Sequence, residues 1–585
     1  MRKILSLCVF MLLLAGTLPA QIPETPAGRQ FSAWLDSFNT GDRAAMLAFF
    51  EQNGLERLVD QSVTIYANSG GYEVLDVEES SDTRIVVAAR ERGPLEAFVS
   101  IVVGVEAAPP YRMNTILIRP GQPPAGMEPA RLTESEADAA RQGAPFRQFA
   151  AWLEAFNAGD RDGIARFIDA NYPSANVDGQ MNFRERTGGF DLRLLERATD
   201  VTLVGLVEER NSDQFARFSL VVEPDEPHRI TRFGITAIPR PAEFPVARLS
   251  EAEVVPALRE RLERDAQDDR FAGAVLLARG DQILFSGAHG SADREQDLPN
   301  TLDTRFRLGS MNKMFTAVAV LQLVQDGQVR LDDPVGVYVT DYPNADVASR
   351  VTIHHLLTHT GGTGDIFGPD FTANRLDLRT HDDYVALYGD RPPAFEPGSR
   401  YAYSNYGMVL LGVVIERVTG QSYYDYVAEH IYRPAGMTRT GSEPESEAVP
   451  GRSIGYMRAP AGGGWTPNTD TLPYRGMAAG GGYSTVGDLL KFANALMGHV
   501  LLDEEHTAML ITGKVEIGGG RMYAYGFEDQ RVDGAGAVGH SGGAPGMSGD
   551  LRIYPDSGYV VAVLANIDPP AAPQVSAFLD LRLPR

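Results

Sequence analysis

Ser310-Met311-Asn312-Lys313 sets a hydroxyl and an amine three residues apart, just ahead of an apolar run, Met314–Val324. At i,i+3 spacing on a helix the two side chains share a face. The run meets no breaker before Gly327 and is too continuous for a surface helix, so it reads as a buried one. Burial and the positive end of the helix dipole both depress a lysine pKa. A neutral lysine beside a serine is a general base beside a nucleophile. Taken alone, the same four residues also describe a serine N-cap followed by an exposed lysine.

Two further clusters change that balance. Tyr403-Ser404-Asn405 follows the turn Glu396-Pro397-Gly398 and precedes another apolar helical run, Met408–Val418. A tyrosine in a cleft can share a proton with a lysine, and an asparagine can hold a substrate amide. His540-Ser541-Gly542-Gly543 lies ahead of the strand-like Leu551–Tyr554 and Tyr559–Ala565. Glycines beside an edge strand let another backbone come close.

The order and spacing of the three clusters resemble the serine β-lactamase and penicillin-binding-protein superfamily. The branch is the one with class C β-lactamases, D-aminopeptidases, D-alanyl-D-alanine carboxypeptidases and related esterases. His355-Leu356-Leu357-Thr358-His359-Thr360-Gly361-Gly362, Pro434-Ala435-Gly436-Met437-Thr438 and Ala479-Gly480-Gly481-Gly482-Tyr483-Ser484-Thr485 add to the resemblance, which covers about Arg270 to Asn566. It implies that Ser310 is acylated, that Lys313 and Tyr403 shuttle its proton, and that Asn405 and His540 face the substrate. The N–H groups of Ser310 and Gly543 would form the oxyanion hole. His540 stands where the β-lactamases carry a lysine. A mostly neutral histidine suits a substrate carboxylate poorly, which favours an esterase or peptidase over a β-lactamase. The chemistry requires no metal and no organic cofactor.

Other motifs lead to weaker readings. Gly539-His540-Ser541-Gly542-Gly543 matches G-x-S-x-G, but no histidine follows it, as an α/β-hydrolase order demands. A trypsin-like protease would need an all-β chain. His355 and His359 have the spacing of H-E-x-x-H without its glutamate, so with His354 they read as structural. Gly480-Gly481-Gly482 lacks the G-K-[ST] of a phosphate loop, and a helix cap built on Thr485 and Asp488 accounts for that segment better.

The elements that must position these residues occupy the last part of the chain, 249–585. It opens with an amphipathic helix, Ala252–Gln267, and a strand pair, Gly273–Ala278 and Gln282–Ser286, turning at Gly280-Asp281. A duplication precedes it. Arg29-Gln30-Phe31-Ser32-Ala33-Trp34-Leu35-Asp36-Ser37-Phe38-Asn39 returns 118 residues later as Arg147-Gln148-Phe149-Ala150-Ala151-Trp152-Leu153-Glu154-Ala155-Phe156-Asn157. Two copies of this length are duplicated domains, not a solenoid. Each predicts a helix with an apolar stripe, a short second helix (Ala44–Phe50 in the first copy) and then strands. The strands are Arg84–Ala89, Ala97–Val103 and Thr115–Ile118 in the first copy, and Val201–Val207, Ala216–Val222 and Arg229–Ala237 in the second. Trp34 and Trp152 sit on the stripes and read as core. Helices followed by an antiparallel sheet give an α+β domain, similar to the nuclear-transport-factor-2-like (NTF2-like) fold. Pro-rich joints at Arg119–Pro129 and Ile238–Pro245 set the expected domains at 21–130, 131–248 and 249–585. The expected fold is thus multidomain: two duplicated α+β domains, then an α/β β-lactamase-like domain whose central antiparallel sheet is flanked by helices.

The 585 residues carry a formal charge of −24. Such a chain repels phosphate backbones and anionic bilayers, which excludes nucleic-acid partners. Arg2 and Lys3, the apolar run from Ile4 to Gly16 and a small residue at Ala20 form a secretory signal, cut after Ala20. Cys8 lies inside it, and bulky Leu7 argues against lipidation there. The expectation is a periplasmic or secreted serine hydrolase with no transmembrane segment in its mature chain. Its partner would be a small ester, amide or peptide substrate of possible cell-wall origin. The competing readings are an idle, binding-only relative and a true β-lactamase.

Overall fold

The structure is a computed structural model. It describes residues 21–584 apart from 122, 125, 126, 128–130, 460–463, 519 and 532–535, so the expected signal and Cys8 lie outside the described residues. The chain divides into two compact units, Met1–Arg240 and Pro241–Arg585. No helix among the described residues is long and apolar enough to cross a membrane.

The first unit holds both copies of the duplication. Copy one runs α1 (Pro26–Asn39), α2 (Arg43–Asn53), α3 (Val59–Ser69), then β1 (Tyr72–Ser80), β2 (Arg84–Glu91), β3 (Phe98–Val105) and β4 (Met113–Pro120). After a short α4 (Glu134–Ala140), copy two repeats the plan. It has α5 (Ala144–Ala158), α6 (Arg161–Asn171), α7 (Val177–Thr187), β5 (Phe190–Ala198), β6 (Thr202–Glu209), β7 (Phe215–Val222) and β8 (Ile230–Ile238). Each copy forms a four-stranded antiparallel meander in sequence order. On β3 alternate residues Val99, Ile101, Val103 and Val105 are buried, and they pack with Phe31, Trp34 and Phe38 of α1. Trp152 and Phe156 do the same in copy two.

The second unit is built on one eight-stranded antiparallel sheet. After α8 (Glu251–Gln267) come β9 (Gly273–Arg279) and β10 (Gln282–His289). From β10 and β9 the sheet continues through Tyr559–Ala565, Met547–Ile553, Val538–Ala544, Glu528–Asp529, Arg521–Tyr523 and Val515–Gly518. Both faces are covered. Ala274, Leu276, Val560, Ala562 and Leu564 enter a core shared with α9 (Asn312–Gln325) and the helix Asn405–Thr419. Val275, Leu277, Val561 and Val563 point the other way, toward α8 and the terminal helix Ala571–Arg582. Burial on both faces explains why these strands are continuously apolar instead of alternating.

Candidate active site

A 3-10 turn, Gly309–Met311, leads into α9 and carries Ser310. Gly309 adopts φ +55°. A Cβ there would stand 3.0 Å from the Gly543 nitrogen, and one on Gly542 would stand 1.9 Å from the Leu308 carbonyl oxygen. The two backbones therefore abut, and only glycine lets them do so. The turn is held from the other side by Leu308 N–H to Gly482 O (3.1 Å) and Gly481 N–H to Gly309 O (3.0 Å).

Lys313 is the second residue of α9, one turn on from Ser310, with no exposed surface. Its Nζ is 3.0 Å from Ser310 Oγ, 2.7 Å from Asn405 Oδ1, and also bonded to the Ala479 carbonyl. Neither the amide oxygen nor the carbonyl can donate, so together they consume two N–H bonds. The third tetrahedral direction of the nitrogen faces Ser310: an N–H in the ammonium, a lone pair in the free amine. Burial pushes the amine from its ordinary 10.5 down to about 7, and the attraction of Asp365 only partly opposes this.

Asp365 has no counterpart in the sequence reading. Its oxygens accept from Asn405 Nδ2 at 2.9 and 3.2 Å. A carboxylate only accepts, so it fixes which end of the Asn405 amide faces Lys313. The tyrosine motif straddles a helix N-terminus. Ser404 Oγ accepts the Gly407 N–H at 2.9 Å as N-cap, which leaves Tyr403 outside the helix and Asn405 inside it. Tyr403 is 36% exposed, its ring 4.8 Å from Lys313 Nζ. Burial of its hydroxyl raises the phenol pKa well above 10, against the opposing pull of a hydrogen bond with Ser310.

His540 is only 4% exposed. Its Nδ1 meets the Ser541 carbonyl at 2.5 Å and its Nε2 the Tyr523 hydroxyl at 3.1 Å. Both ring nitrogens are committed within the protein, a placement that the expected substrate-facing role does not describe. Burial lowers its pKa to about 4, and the Lys313 charge acts in the same sense. The strand Val538–Ala544 pairs with Glu528–Asp529 through Val538 and Gly539, so among the described residues one edge from His540 to Ala544 has no strand partner. That edge carries Gly543, beside Ser310.

The three histidines of the unused zinc reading go to separate partners. His354 Nδ1 bonds Tyr525 (2.8 Å), His355 caps its own short helix through Thr352 N–H (3.3 Å), and His359 Nε2 bonds Tyr523 (2.9 Å). Among the described residues no group of three or more His, Cys, Asp or Glu is placed to hold a metal ion. Thr485 Oγ1 accepts the Asp488 N–H (3.1 Å), while Asp488 turns to Arg439 and Thr440, so that cap is one-sided.

A turn-borne serine hydrogen-bonded to a buried lysine, beside a tyrosine and a glycine-rich strand, defines a class of serine hydrolase. The Beta-lactamase family model matches residues 258–583, more than half of the chain. The chain belongs to that family and is a serine hydrolase with a β-lactamase-like fold in this region. Esterase EstB of Burkholderia gladioli is 39% identical over 211 residues, spanning 33% of this chain and 52% of the esterase. The putative penicillin-binding protein PbpX of Bacillus subtilis (strain 168) is 30% identical over 298 residues, spanning 50% of this chain and 70% of that one. The crystal structure of a penicillin-binding protein from Bacillus halodurans superimposes with a TM-score of 0.51 at 34% identity, covering 54% of this chain and 98% of that one.

Proposed function

We propose that the protein is an exported enzyme that acylates Ser310 and hydrolyses small esters, amides or D-amino-acid peptides. The observation that carries this reading is the fully buried Lys313 amine, 3.0 Å from Ser310 Oγ and with a pKa near 7. Near neutral pH a large fraction of such an amine is free, with its lone pair toward the serine. As Oγ bonds to the substrate carbonyl carbon, the hydroxyl proton passes to Nζ and the carbonyl electrons move onto oxygen. The Ser310 and Gly543 N–H groups would hold that oxyanion. Collapse expels the alcohol or amine, which takes a proton from Lys313, directly or through Tyr403. Tyr403 stays a phenol at neutral pH, so it relays a proton and does not serve as the resting base. Water then attacks the acyl carbon, the acid departs and Ser310 regains its proton. Asn405 holds Lys313 in line.

The esterase relative supports an ester as the acyl donor. His540 offers no cation to a substrate carboxylate, which weighs against a true β-lactamase. The duplicated first unit resembles NTF2-like domains in its layout, and we read it as a binding or spacing module.

The deciding experiment is the intact mass of the protein after exposure to a fluorophosphonate, with Ser310→Ala in parallel. One adduct on the wild type and none on the variant is the expected outcome. No adduct on folded wild type would overturn the reading in favour of a protein that only binds.

A further inference from the structure

A second line of buried polar groups runs past the Ser310–Lys313 pair and takes no part in that proton path. It starts at the Ser404 N–H, passes through His359, Tyr523 and His540, and ends at the Ser541 carbonyl. The successive distances are 3.2, 2.9, 3.1 and 2.5 Å. The three side chains belong to residues at most 4% exposed.

The ends of this line settle everything between them. A backbone N–H only donates, so His359 Nδ1 is an acceptor. A neutral His359 then carries its proton on Nε2 and donates to the Tyr523 oxygen. At the far end a carbonyl only accepts, so His540 carries its proton on Nδ1. Its Nε2 is left to accept the Tyr523 O–H. Each group has one part to play, and all four bonds point the same way along the chain. Protonating His359 on Nδ1 would set a donor against the Ser404 N–H.

What the line joins gives it a purpose. Ser404 lies between Tyr403 and Asn405, and His359 also packs on the Tyr403 ring at 4.4 Å. Ser541 lies two residues before Gly543, on the stretch whose edge has no strand partner after Gly539. Its other edge is held by the ladder to Met547–Ile553, and the polar line ties this first edge to the Tyr403 loop. His359 itself adopts φ +57°, a left-handed backbone that residues with a side chain rarely take. Its carbonyl accepts the Ala402 N–H at 2.9 Å, so both its backbone and its ring are tied to the tyrosine loop.

We propose that His359 and Tyr523 are positioning residues. Through His540 they latch the Tyr403 loop to the strand segment presenting Gly543, with His359 in its Nε2–H form and His540 in its Nδ1–H form. Burial keeps both rings neutral. Lys313 on α9 disfavours a proton on either ring, and the His540 charge would do the same to His359. Asp550 on the adjacent strand favours one on His540 more weakly. Burial holds Tyr523 as a phenol, and Tyr403, Tyr401 and Glu528 facing it act in the same sense.

The test has two arms, and only the second rests on the hydrolase reading. The first is long-range proton–nitrogen NMR of the histidine-labelled full chain at pH 7.5, which reads each ring's tautomer directly. The expected result is one Nε2–H ring and one Nδ1–H ring, assigned through His359→Gln and His540→Gln. An Nε2–H or mixed His540 in the wild type overturns the proposal, whether or not the protein is an enzyme. The second arm is Tyr523→Phe, which keeps the ring and removes the hydroxyl. A loosened site should slow fluorophosphonate labelling of Ser310 by roughly tenfold, because small misplacements of reacting groups are costly. In that variant His540 should keep its Nδ1–H form, since the Ser541 carbonyl still accepts from it. A folded Tyr523→Phe that labels within twofold of wild type overturns the latch. Should the variant not fold, the wild-type spectrum decides.

Discussion

The two units use polar side chains for different ends. In the first, an asparagine clamp is repeated 118 residues on. Asn39 accepts from Tyr72 N–H (2.8 Å) and donates to Tyr72 O (2.9 Å), and Asn157 does the same with Phe190 at 2.8 Å each way. Each asparagine satisfies both backbone groups at the start of a sheet, a job any copy of the fold requires. In the second unit, Lys313, Asn405 and Tyr403 have no duplicate: Lys313 and Tyr403 meet the Ser310 hydroxyl, and Asn405 holds Lys313. One of them is an amine that burial makes easier to discharge. The clamp that recurs with the duplication serves architecture, while the buried Lys313 amine, found once, is placed for chemistry at Ser310.

Lys313→Met should separate the two kinds most sharply. Removing a general base costs about 10²–10⁴-fold, so Ser310 labelling should fall by about 10³-fold. Folded Lys313 binds its proton more weakly than an unfolded lysine. The folded state is therefore penalised as pH falls from about 10.5 to about 7, and the penalty is constant below that. The variant should melt at or above the wild-type temperature at pH 7. A large fall in melting temperature would mean that the amine is architectural after all.

The pH dependence of labelling is the next largest effect. The rate should rise about tenfold per pH unit up to about 7 and then level as the amine loses its proton. A profile flat from pH 5 to 8 would remove Lys313 as the base. In the other unit, Asn39→Ala or Asn157→Ala should each cost about 1–3 kcal/mol in denaturant unfolding, by stranding buried backbone groups. Labelling of Ser310 should be unchanged in both. Asp365→Asn should have the smallest effect. Loss of its negative charge lowers the Lys313 pKa, so the acid limb should move to lower pH with little change in the plateau. A shift to higher pH would contradict the electrostatic role.

The sequence showed what depends on local spacing. The buried helices after Ser310 and Tyr403 run Asn312–Gln325 and Asn405–Thr419, close to the apolar runs that announced them. In the first unit, α3 and α7 were not legible. VDGQMNFRERT of α7 carries few apolar residues, and VDQSVTIYANS of α3 is rich in β-branched Val, Thr and Ile, which suit a strand as readily. Strands β1 and β5 were hidden because each holds two register shifts that break the period of two. Asp365, the Ala479 carbonyl and Tyr523 reach the site from loops and a short strand far along the chain. No spacing rule joins them to Ser310, since only the folded sheet brings them together. His359 could be seen as part of a motif, but not what its ring would bond.

The repeated asparagine clamp has a consequence for how the chain assembles. α1 and α5 share most of their residues, so during folding each sheet meets two helices able to dock in the same groove. Asn39 closes a 33-residue loop to reach Tyr72. Asn157 would have to close one well over twice as long to reach the same place. Loop closure discriminates by only about 0.6 kcal/mol per doubling of length, so proximity alone rejects the sibling helix weakly. Any discrimination between the sibling helices must therefore come from differences between the copies elsewhere, such as Tyr72 against Phe190 beneath the clamp.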